Sequence, residues 1–345
     1  MNQSNQSSQS SESNQSNQRA QSRQNDPTGP VTPTGPVTPT GPVTPTGPVG
    51  PISQTAPLGD RTVRRIGFGA MQLAGPWVFG PPKDPEAARA VLRRAVELGV
   101  NHIDTAQVYG PDVVNELLAE VLRPYPEDLV IATKVGGARD AEGGWVKASR
   151  PEQLRWTVEQ DLRTLRAERL DLVNLRLGVG GGPEPVPLAE QLGTLTELRE
   201  EGKLDLIGLS TVSAGDLETA LAITPIAEVQ NAYGIANRTD EAVLDLCRAH
   251  GIAFVPYYPL GSAFTGGPQA LAADPAVAGV ATRHGVTPSQ VALAWLLAHY
   301  DRMLLIPGTG SVAHLEENLA VDGIRLDATD LAELEAVTHV SAPGF

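Results

Sequence analysis

The sequence predicts an α/β protein built as a (β/α)8 barrel, the TIM barrel, and three observations carry that prediction. From Leu58 onward, short runs rich in Val, Ile and Leu alternate with amphipathic stretches of about 10 to 15 residues, which is typical of βαβ units and a parallel sheet. Eight such pairs fit within about 290 residues, the size of one barrel. A doubly wound sheet is the alternative, but no Gly-x-Gly-x-x-Gly follows the first strand.

Each element is predicted from its own pattern, apolar runs for strands and helical spacing of apolar residues for helices. The predicted strands are Ile66–Ala70, Asn101–Asp104, Leu129–Lys134, Leu170–Leu175, Leu204–Ser210, Ala227–Gln230, Ala253–Tyr257 and Met303–Ile306. The predicted helices are Pro85–Leu98, Val113–Leu122, Pro151–Arg166, Leu188–Glu201, Ala214–Ala222, Asp240–His250, Pro288–His299 and Ala313–Val321. A hairpin starting at Leu58 precedes the first strand, and Asp327–Val337 adds one further helix at the C-terminal end. Thr287 begins its helix with a capping box.

The first 56 residues differ from the rest of the chain. Residues 1–24 are almost entirely Asn, Gln and Ser, which cannot bury enough apolar surface to offset chain entropy, so we expect a disordered tail. Residues 27–49 repeat the unit Pro-Thr-Gly-Pro-Val-Thr, which favours extended backbone and a semi-rigid linker. A docking segment is the alternative. The predicted domains are therefore a tail with linker over residues 1–56 and a barrel over residues 57–345.

The formal net charge of −14 belongs to the barrel because the tail is neutral. An acidic body argues against general binding of nucleic acid or anionic membrane. No run of 18 apolar residues and no signal-peptide pattern is present, so we expect a cytoplasmic protein that uses no membrane. The single cysteine, Cys247, excludes an intrachain disulfide and is expected to be a buried structural thiol. The histidines lack zinc-ligand spacing, so we expect no metal.

Polar residues with acid-base chemistry follow the second and third predicted strands. Asp104 ends the second strand, Tyr109 lies in the loop after it, and Lys134 ends the third. The carboxyl ends of barrel strands are where reaction sites form. A phenol, an ammonium and a carboxylate placed there can share one proton network and protonate a developing alkoxide. Taken singly, Tyr109 could instead pack a loop, and Asp104 with Lys134 could form a structural ion pair.

At these residues the sequence resembles the aldo-keto reductase superfamily. The matching segments run in the expected order over residues 58 to about 340 and are GVNHIDTAQVYG (99–110), IATKV (131–135), IGLS (207–210), VQNAY (229–233), YPLG (258–261), IPGT (306–309) and HLEEN (314–318). The resemblance implies reduction of a small-molecule aldehyde or ketone with NADPH. It also implies that Tyr109 donates the proton and that Lys134, held by Asp104, assists it.

The resemblance also implies which residues bind the cofactor, although some of these positions depart from the family pattern. Those expected to bind the cofactor are Ser210 and Gln230 at the carboxamide, Tyr257 on the ring, Leu260, Gly261, Gly308, Thr309 and Gly310 near phosphates, His314 at the 2′-phosphate end, and Glu317 and Asn318 at adenine. Thr211 stands where the family commonly has Asn, and Tyr258 where it commonly has Ser. NADPH is the expected cofactor. NADH is the alternative, because Gly308 and His314 stand where the family often has Lys or Arg.

Arg176 is the main departure from the family pattern. It stands where many members carry a substrate-orienting histidine, and it is similar in this to a bacterial branch of reductases. A guanidinium can donate hydrogen bonds but cannot cycle a proton, so the proton role rests on Tyr109. A fixed cation could recognise a carboxylate, phosphate or phenolate, which makes pyridoxal the first substrate to test. His102 shares the strand parity of Asp104, but its deeper position favours packing in the barrel interior.

Two further questions stay open in the sequence. The same fold serves in potassium-channel β-subunits, so a nucleotide-binding regulatory protein is the alternative to an enzyme. The substrate loops are expected at 77–83, 136–147, 178–187 and 341–345. Their aromatic residues, Trp77, Phe79 and Trp145, either line an apolar pocket or cover the end of the barrel. The oligomeric state is not determined by the sequence.

Overall fold

A computed structural model describes residues 54–178, 186–261 and 267–337 of this protein. The predictions made for the tail and linker over residues 1–53, for residues 179–185 of one substrate loop and for the C-terminal segment 341–345 therefore lie outside the described residues.

The regular elements alternate along the barrel as the sequence pattern predicts. The strands are β1 (Thr55–Leu58), β2 (Arg61–Arg64), β3 (Phe68–Gly69), β4 (His102–Asp104), β5 (Val130–Arg139), β6 (Trp145–Ala148), β7 (Leu170–Arg176), β8 (Leu204–Ser210), β9 (Glu228–Gln230) and β10 (Ala253–Phe254). The helices are α1 (Pro85–Glu97), α2 (Val113–Leu122), α3 (Pro151–Leu165), α4 (Leu188–Glu200), α5 (Ala214–Leu221), α6 (Glu241–His250), α7 (Gly267–Ala273), α8 (Pro275–His284), α9 (Pro288–His299), α10 (Val312–Leu319) and α11 (Ala328–Leu334). The predicted capping box at Thr287 begins α9.

The parallel sheet closes into the predicted (β/α)8 barrel. Its strand order is β10-β9-β8-β7-β5-β4-β3. The prediction of a regular eighth strand at Met303–Ile306 is wrong. This segment still completes the ring, through two isolated bridges that join Phe254 with Met303 and Ile66 with Leu305. Pro307 ends this segment without an N–H for a ladder.

The hairpin β1–β2 covers the amino-terminal end of the barrel. Its apolar side chains, those of Ala56, Leu58 and Val63, pack in a small core with residues from four barrel segments: Val130, Ala132, Leu172, Ala253, Val255 and Leu304. Arg61 of the hairpin forms ion pairs with Asp171 at 2.9 Å and Asp205 at 2.7 Å. The predicted hairpin is therefore confirmed, and its first strand begins at Thr55, two residues before the predicted start of the barrel domain.

Two features escaped the sequence prediction. The stretch 136–147, expected as a loop, is largely a hairpin in which β5 and β6 pair antiparallel around a turn stabilised by Asp140, whose carboxylate accepts from Gly144 N at 2.6 Å. Helices α7 and α8 were not predicted, although Asp274 caps α8 and Gly285 ends it in the left-handed conformation. The Asp-Pro and Gly at those positions are the sequence signals that could have found α8.

The core fills the space between the sheet and the helices. Cys247 is fully buried there, and burial raises the pKa of its thiol to about 12, as expected of a structural cysteine. Over the ranges that the structure describes, no helix is both long and apolar enough to cross a membrane.

Candidate active site

The polar residues singled out in the sequence lie in successive tiers at the carboxyl ends of the strands. Asp104 of β4 is in register with Ala132 of β5, and Lys134 stands two residues further along the same strand. Arg176 of β7 pairs with Ser210 of β8, which pairs with Gln230 of β9. Side chains two residues apart on a strand share a face, so these residues converge at one end of the barrel.

Lys134 is held at the centre of this arrangement. Its Nζ donates to Asp104 Oδ1 at 2.5 Å and to the backbone carbonyl of Thr105 at 2.9 Å. The Lys134 and Asp104 side chains are only 6% and 4% exposed, so the two charges are removed from water together. A buried pair of this kind persists only with close geometry and further hydrogen bonds, and both are present.

Tyr109 lies above this pair. Its residue is 4% exposed, and Lys134 Nζ lies 5.3 Å from the centre of its ring. The structure thus brings the phenol, the ammonium and the carboxylate together, with a cation–π contact between Lys134 and Tyr109 rather than a hydrogen bond to the hydroxyl. Hydrogen bonds at reaction sites often tighten only when ligands bind.

Gln230 links this pair to a deeper carboxyl group that the sequence reasoning missed. Its Nε2 donates to Asp104 Oδ2 at 2.7 Å and to Glu228 Oε1 at 2.8 Å. Asn174 Nδ2 donates to the same Glu228 oxygen at 2.8 Å. The sequence did contain a signal for both residues. Glu228 stands two positions before Gln230, and Asn174 two positions before Arg176, so each polar residue shares a strand face with the later one.

Burial shifts the ionisation of two groups in this layer. Removal from water raises the pKa of Glu228 to about 7, with the nearby Asp104 charge acting in the same direction. Desolvation likewise lowers the pKa of His102 to about 4, so its ring is neutral at pH 7. His102 Nε2 lies 3.9 Å from Glu228 Oε2 in the barrel interior. His102 is thus one tier below Asp104 and does not occupy the position of Arg176.

A second buried network supports the loop after β4. Asp161 of α3 accepts from Asn115 Nδ2 at 2.6 Å and from Thr133 Oγ1 at 2.9 Å, and Thr105 Oγ1 donates to Asn115 at 2.8 Å. Desolvation raises the pKa of Asp161 to about 7. Because Thr105 also offers its carbonyl to Lys134, this network fixes one of the two oxygen ligands of the ammonium.

Arg176 faces the mouth of the barrel. Its guanidinium carbon lies 5.5 Å from the centre of the Trp145 ring, while that of Arg139 lies 3.8 Å from the same ring. Arg139 is committed to backbone, donating to the carbonyls of Gly143 at 2.8 Å and Trp77 at 3.2 Å. Burial and then the neighbouring Arg176 charge lower the pKa of Arg139. Within the described ranges, no hydrogen bond or ion pair engages the Arg176 side chain.

The three loop aromatics have different surroundings. Trp145 faces the two guanidinium groups and is 39% exposed. Trp77 is 92% exposed. Phe79 lies close to the turn of the β5–β6 hairpin, where a Cβ added to Gly143 would approach its ring to 3.3 Å.

The expected nicotinamide contacts lie around the ends of β8 to β10. Ser210 is buried, and Tyr257 is hydrogen-bonded through its hydroxyl to Thr211 Oγ1 at 3.2 Å. Thr211 and Tyr258, the two departures from the family pattern, both adopt positive φ, 59° and 54°. Left-handed backbone suits Asn better than a β-branched residue, so Thr211 holds a strained conformation.

The expected phosphate and adenine contacts lie near α10. Thr309 Oγ1 accepts from Ser311 N at 3.0 Å, and Ser311 caps α10 by accepting from His314 N at 3.5 Å. Gly308 packs against Gly69, because a Cβ at Gly308 would fall 2.6 Å from the Gly69 carbonyl oxygen. Glu317 Oε1 accepts from Thr287 Oγ1 at 2.9 Å. Of the other expected contacts, Leu260 and Gly261 lie in the turn after β10, where Gly261 N donates to the Tyr258 carbonyl at 2.9 Å. Gly310 precedes α10, and half-buried Asn318 lies within it.

The residues present fit a nicotinamide dinucleotide. Gln230 Oε1 is a buried acceptor without a partner in the part of the chain that the structure describes, beside Ser210 at the same level of the barrel. Such an atom matches an amide N–H donor of the carboxamide group. The described residues hold no group of three or more His, Cys, Asp or Glu side chains placed for a metal ion.

Comparison with known proteins decides the family. The sequence profile of the aldo/keto reductase family matches residues 65–339. The chain belongs to the aldo-keto reductase family. It is 46% identical over 284 residues to pyridoxine 4-dehydrogenase of Escherichia coli K12, a match that covers 82% of this chain and 97% of that protein. This aldo-keto reductase is accordingly an oxidoreductase.

Solved structures agree with this assignment. A thermostable aldo-keto reductase crystallised with the inhibitor epalrestat matches with a TM-score of 0.70 and 28% identity, over 82% of this chain and 99% of that one. An aldo-keto reductase from Klebsiella pneumoniae in complex with NADPH matches with a TM-score of 0.67 and 25% identity, over 82% and 94%. The barrel fold predicted from the sequence is thereby confirmed.

Proposed function

We propose that this reductase transfers hydride between NADPH and a small carbonyl compound, with Tyr109 as the proton donor. The observation that carries the proposal is the buried Lys134–Asp104 pair beneath the Tyr109 ring, at the carboxyl ends of the barrel strands. A cation next to a phenol favours its ionised form and so eases loss of the proton to a developing alkoxide.

Each side chain has a distinct task in this reaction. The bound nicotinamide supplies the hydride. Tyr109 gives its hydroxyl proton to the carbonyl oxygen as negative charge develops there, and Lys134 stabilises the resulting phenolate. Asp104 and the Thr105 carbonyl hold the Lys134 ammonium in place through two hydrogen bonds. In the reverse direction the Tyr109 phenolate accepts the proton of an alcohol, since the same groups serve both directions.

The cofactor we propose is NADPH. We propose that Gln230 and Ser210 contact the carboxamide, that Tyr257 contacts the ring, and that the start of α10 binds a phosphate. The similar Klebsiella pneumoniae enzyme was crystallised with NADPH. We propose NADPH ahead of NADH on this support, with His314 at the position expected to meet the 2′-phosphate.

Pyridoxal is the substrate we propose. Its aldehyde lies beside a phenolic oxygen, and a fixed cation at Arg176 offers hydrogen-bond donors to an ionised phenolate. Among the residues that the structure describes, no carboxylate pairs with the Arg176 guanidinium, which supports this choice, as does the 46% identity to pyridoxine 4-dehydrogenase. Trp145 beside Arg176 provides a flat face for an aromatic ring.

Oxidation of NADPH in the presence of pyridoxal tests the proposal, comparing the wild type with Tyr109→Phe. We expect the phenylalanine variant to lose at least about a hundredfold in kcat because the positioned acid is removed, while NADPH affinity measured by fluorescence stays within about twofold. Tight NADPH binding by both proteins without turnover of pyridoxal or of a panel of aldehydes would favour a regulatory protein instead.

A further inference from the structure

We propose that Glu228 is a positioning residue for the cofactor, which orients the Gln230 amide so that its oxygen faces the nicotinamide carboxamide. This inference rests on the proposed function, because it assigns a role toward the cofactor that the function requires. Glu228 itself lies one tier below the reacting atoms and is fully buried.

Two carboxyl groups determine which way the Gln230 amide points. Its Nε2 lies 2.7 Å from Asp104 Oδ2 and 2.8 Å from Glu228 Oε1. A primary amide has two N–H donors on one side and a carbonyl acceptor on the other. A flipped amide would direct its oxygen at two oxygens that act as acceptors, and both hydrogen bonds would be lost. The nitrogen is therefore fixed between the two carboxyl groups.

The opposite end of the same amide is left free. Gln230 Oε1 is buried and has no hydrogen-bond partner within the described ranges. Buried polar atoms are nearly always paired in folded proteins, so an unpaired one at a candidate binding site indicates a donor brought by a ligand. In the strand register Gln230 pairs with Ser210, and Ser210 pairs with Arg176 on its other side, at the carboxyl end of the barrel. A carboxamide N–H has the required chemistry.

Asp104 supplies only one of the two hydrogen bonds that hold the amide. Its Oδ2 accepts from Gln230 Nε2, while its Oδ1 accepts from the Lys134 ammonium. Glu228 Oε1 is anchored from the other side by Asn174 Nδ2 at 2.8 Å. A Cβ added to Gly208 would approach the Glu228 side chain to 3.0 Å. Contacts on β7 and close approach of β8 thus restrict Glu228 to one conformation.

Charge on Glu228 is not needed for this role. The charged and titratable groups around it are His102 and Asp104 from β4 and Lys134 from β5, and burial raises the pKa of Glu228 to about 7. A protonated carboxyl group keeps a carbonyl oxygen that accepts hydrogen bonds. Glutamine at this position offers the same acceptor without the titration, so Glu228→Gln is the conservative variant, and Glu228→Leu removes the acceptor altogether.

Titration calorimetry with two ligands tests the proposal in the full-length protein. NADPH contains the nicotinamide, whereas 2′-phospho-ADP-ribose lacks it and probes only the adenosine and phosphate contacts. We expect Glu228→Leu to weaken NADPH binding by about tenfold and 2′-phospho-ADP-ribose binding by less than about twofold. Glu228→Gln should restore NADPH affinity to within about threefold of the wild type.

Three outcomes would overturn the proposal: equal weakening of both ligands, no weakening of NADPH binding in Glu228→Leu, or a Glu228→Gln variant as weak as Glu228→Leu. Should Glu228→Leu fail to fold, Glu228→Asp serves as the test variant, because it keeps the carboxyl group but withdraws it by one methylene. Weaker binding of NADPH alone would then support the role, and unchanged NADPH binding would overturn it. A wild-type protein that binds neither ligand would instead contradict the proposed function, and this inference with it.

Discussion

Lys134 of β5 and Arg176 at the end of β7 lie on neighbouring strands of the barrel, yet the two cations are held differently. Lys134 is buried against Asp104 and a backbone carbonyl, which leaves its charge committed to the interior of the site. Arg176 is half-buried, and the structure pairs it with no carboxylate among the residues it describes. A cation without a counter-charge at the mouth of a site favours an anionic group on the ligand. We therefore expect the residue at position 176 to bear on substrate choice.

The replacement Arg176→Met tests this at the residue scale. We expect kcat/KM for pyridoxal to fall by about 10-fold to 100-fold, because a charge-assisted hydrogen bond to the phenolate is lost. A neutral aromatic aldehyde should lose less than about threefold. Arg176→Lys, which keeps the charge but not the planar fork, serves as the matched control and should fall between them. Equal losses on both aldehydes would count against anion recognition.

At the scale of elements, the β5–β6 hairpin extends one barrel strand across the mouth of the site. It carries Trp145 beside Arg176 and is tied to the neighbouring loop by Arg139, which donates to the carbonyls of Trp77 and Val78. The guanidinium of Arg139 also lies against the Trp145 ring. One side chain thus joins two predicted substrate loops, and we expect the position of Trp145 to depend on it.

Removal of this link should affect the substrate more than the cofactor. For Arg139→Met we expect the KM for pyridoxal to rise by about threefold to tenfold as the hairpin loosens, with the Kd for NADPH unchanged within about twofold. Steady-state kinetics and fluorescence titration measure the two quantities. Arg155→Met, which removes a surface cation from α3 paired with Glu197 and Glu201, is the control. A KM indistinguishable from that of the control would show that Arg139 does not set the loop position.

At the scale of the whole molecule, an acidic protein carries ionisable groups deep in its core. Burial raises the pKa values of Asp161 and Glu228 to about 7 and lowers that of His102 to about 4. For the two carboxyl groups, the folded state holds the proton more tightly than the unfolded state does. Their contribution to stability is therefore complete below about pH 4 and is lost as the pH rises through about 7. His102 acts oppositely, since its contribution is present above about pH 6.5 and is lost as the pH falls through about 4.

Thermal unfolding of Asp161→Asn tests the carboxyl contribution. Between pH 5 and pH 8 we expect the Tm of the wild type to fall by about five degrees more than that of the variant, because the variant has no proton to lose at this position. The variant should also be less stable overall, since an amide cannot accept from both Asn115 and Thr133. Asp245→Asn, on the surface of α6, provides the control. Parallel pH profiles for wild type and Asp161→Asn would contradict the assignment.

Local patterns explain how much of the fold was predictable. Helices α2 and α9 have the predicted bounds, and most of the other predicted helices differ by one or two residues at their ends. The last one, α11, is shorter than predicted. The unpredicted elements, α7, α8 and β6, lie in segments where weak periodicity or clustered glycines obscured the pattern. The strands β3 and β10 are shorter than predicted because barrel closure there uses isolated bridges.

The sequence by itself determined the fold class and the family, because alternating apolar runs and ordered motifs are properties of short segments. It also located Asp104, Tyr109, Lys134 and Arg176 on barrel strands or in the loops that follow them. The tertiary structure alone decided which polar groups meet inside the barrel. Gln230 and Asp104 are 126 positions apart in the chain, and their hydrogen bond exists only because the sheet closes on itself. Strand parity places Glu228 on the same face as Gln230, but no local pattern encodes the burial and the three-dimensional pairing of Glu228 and Asp161.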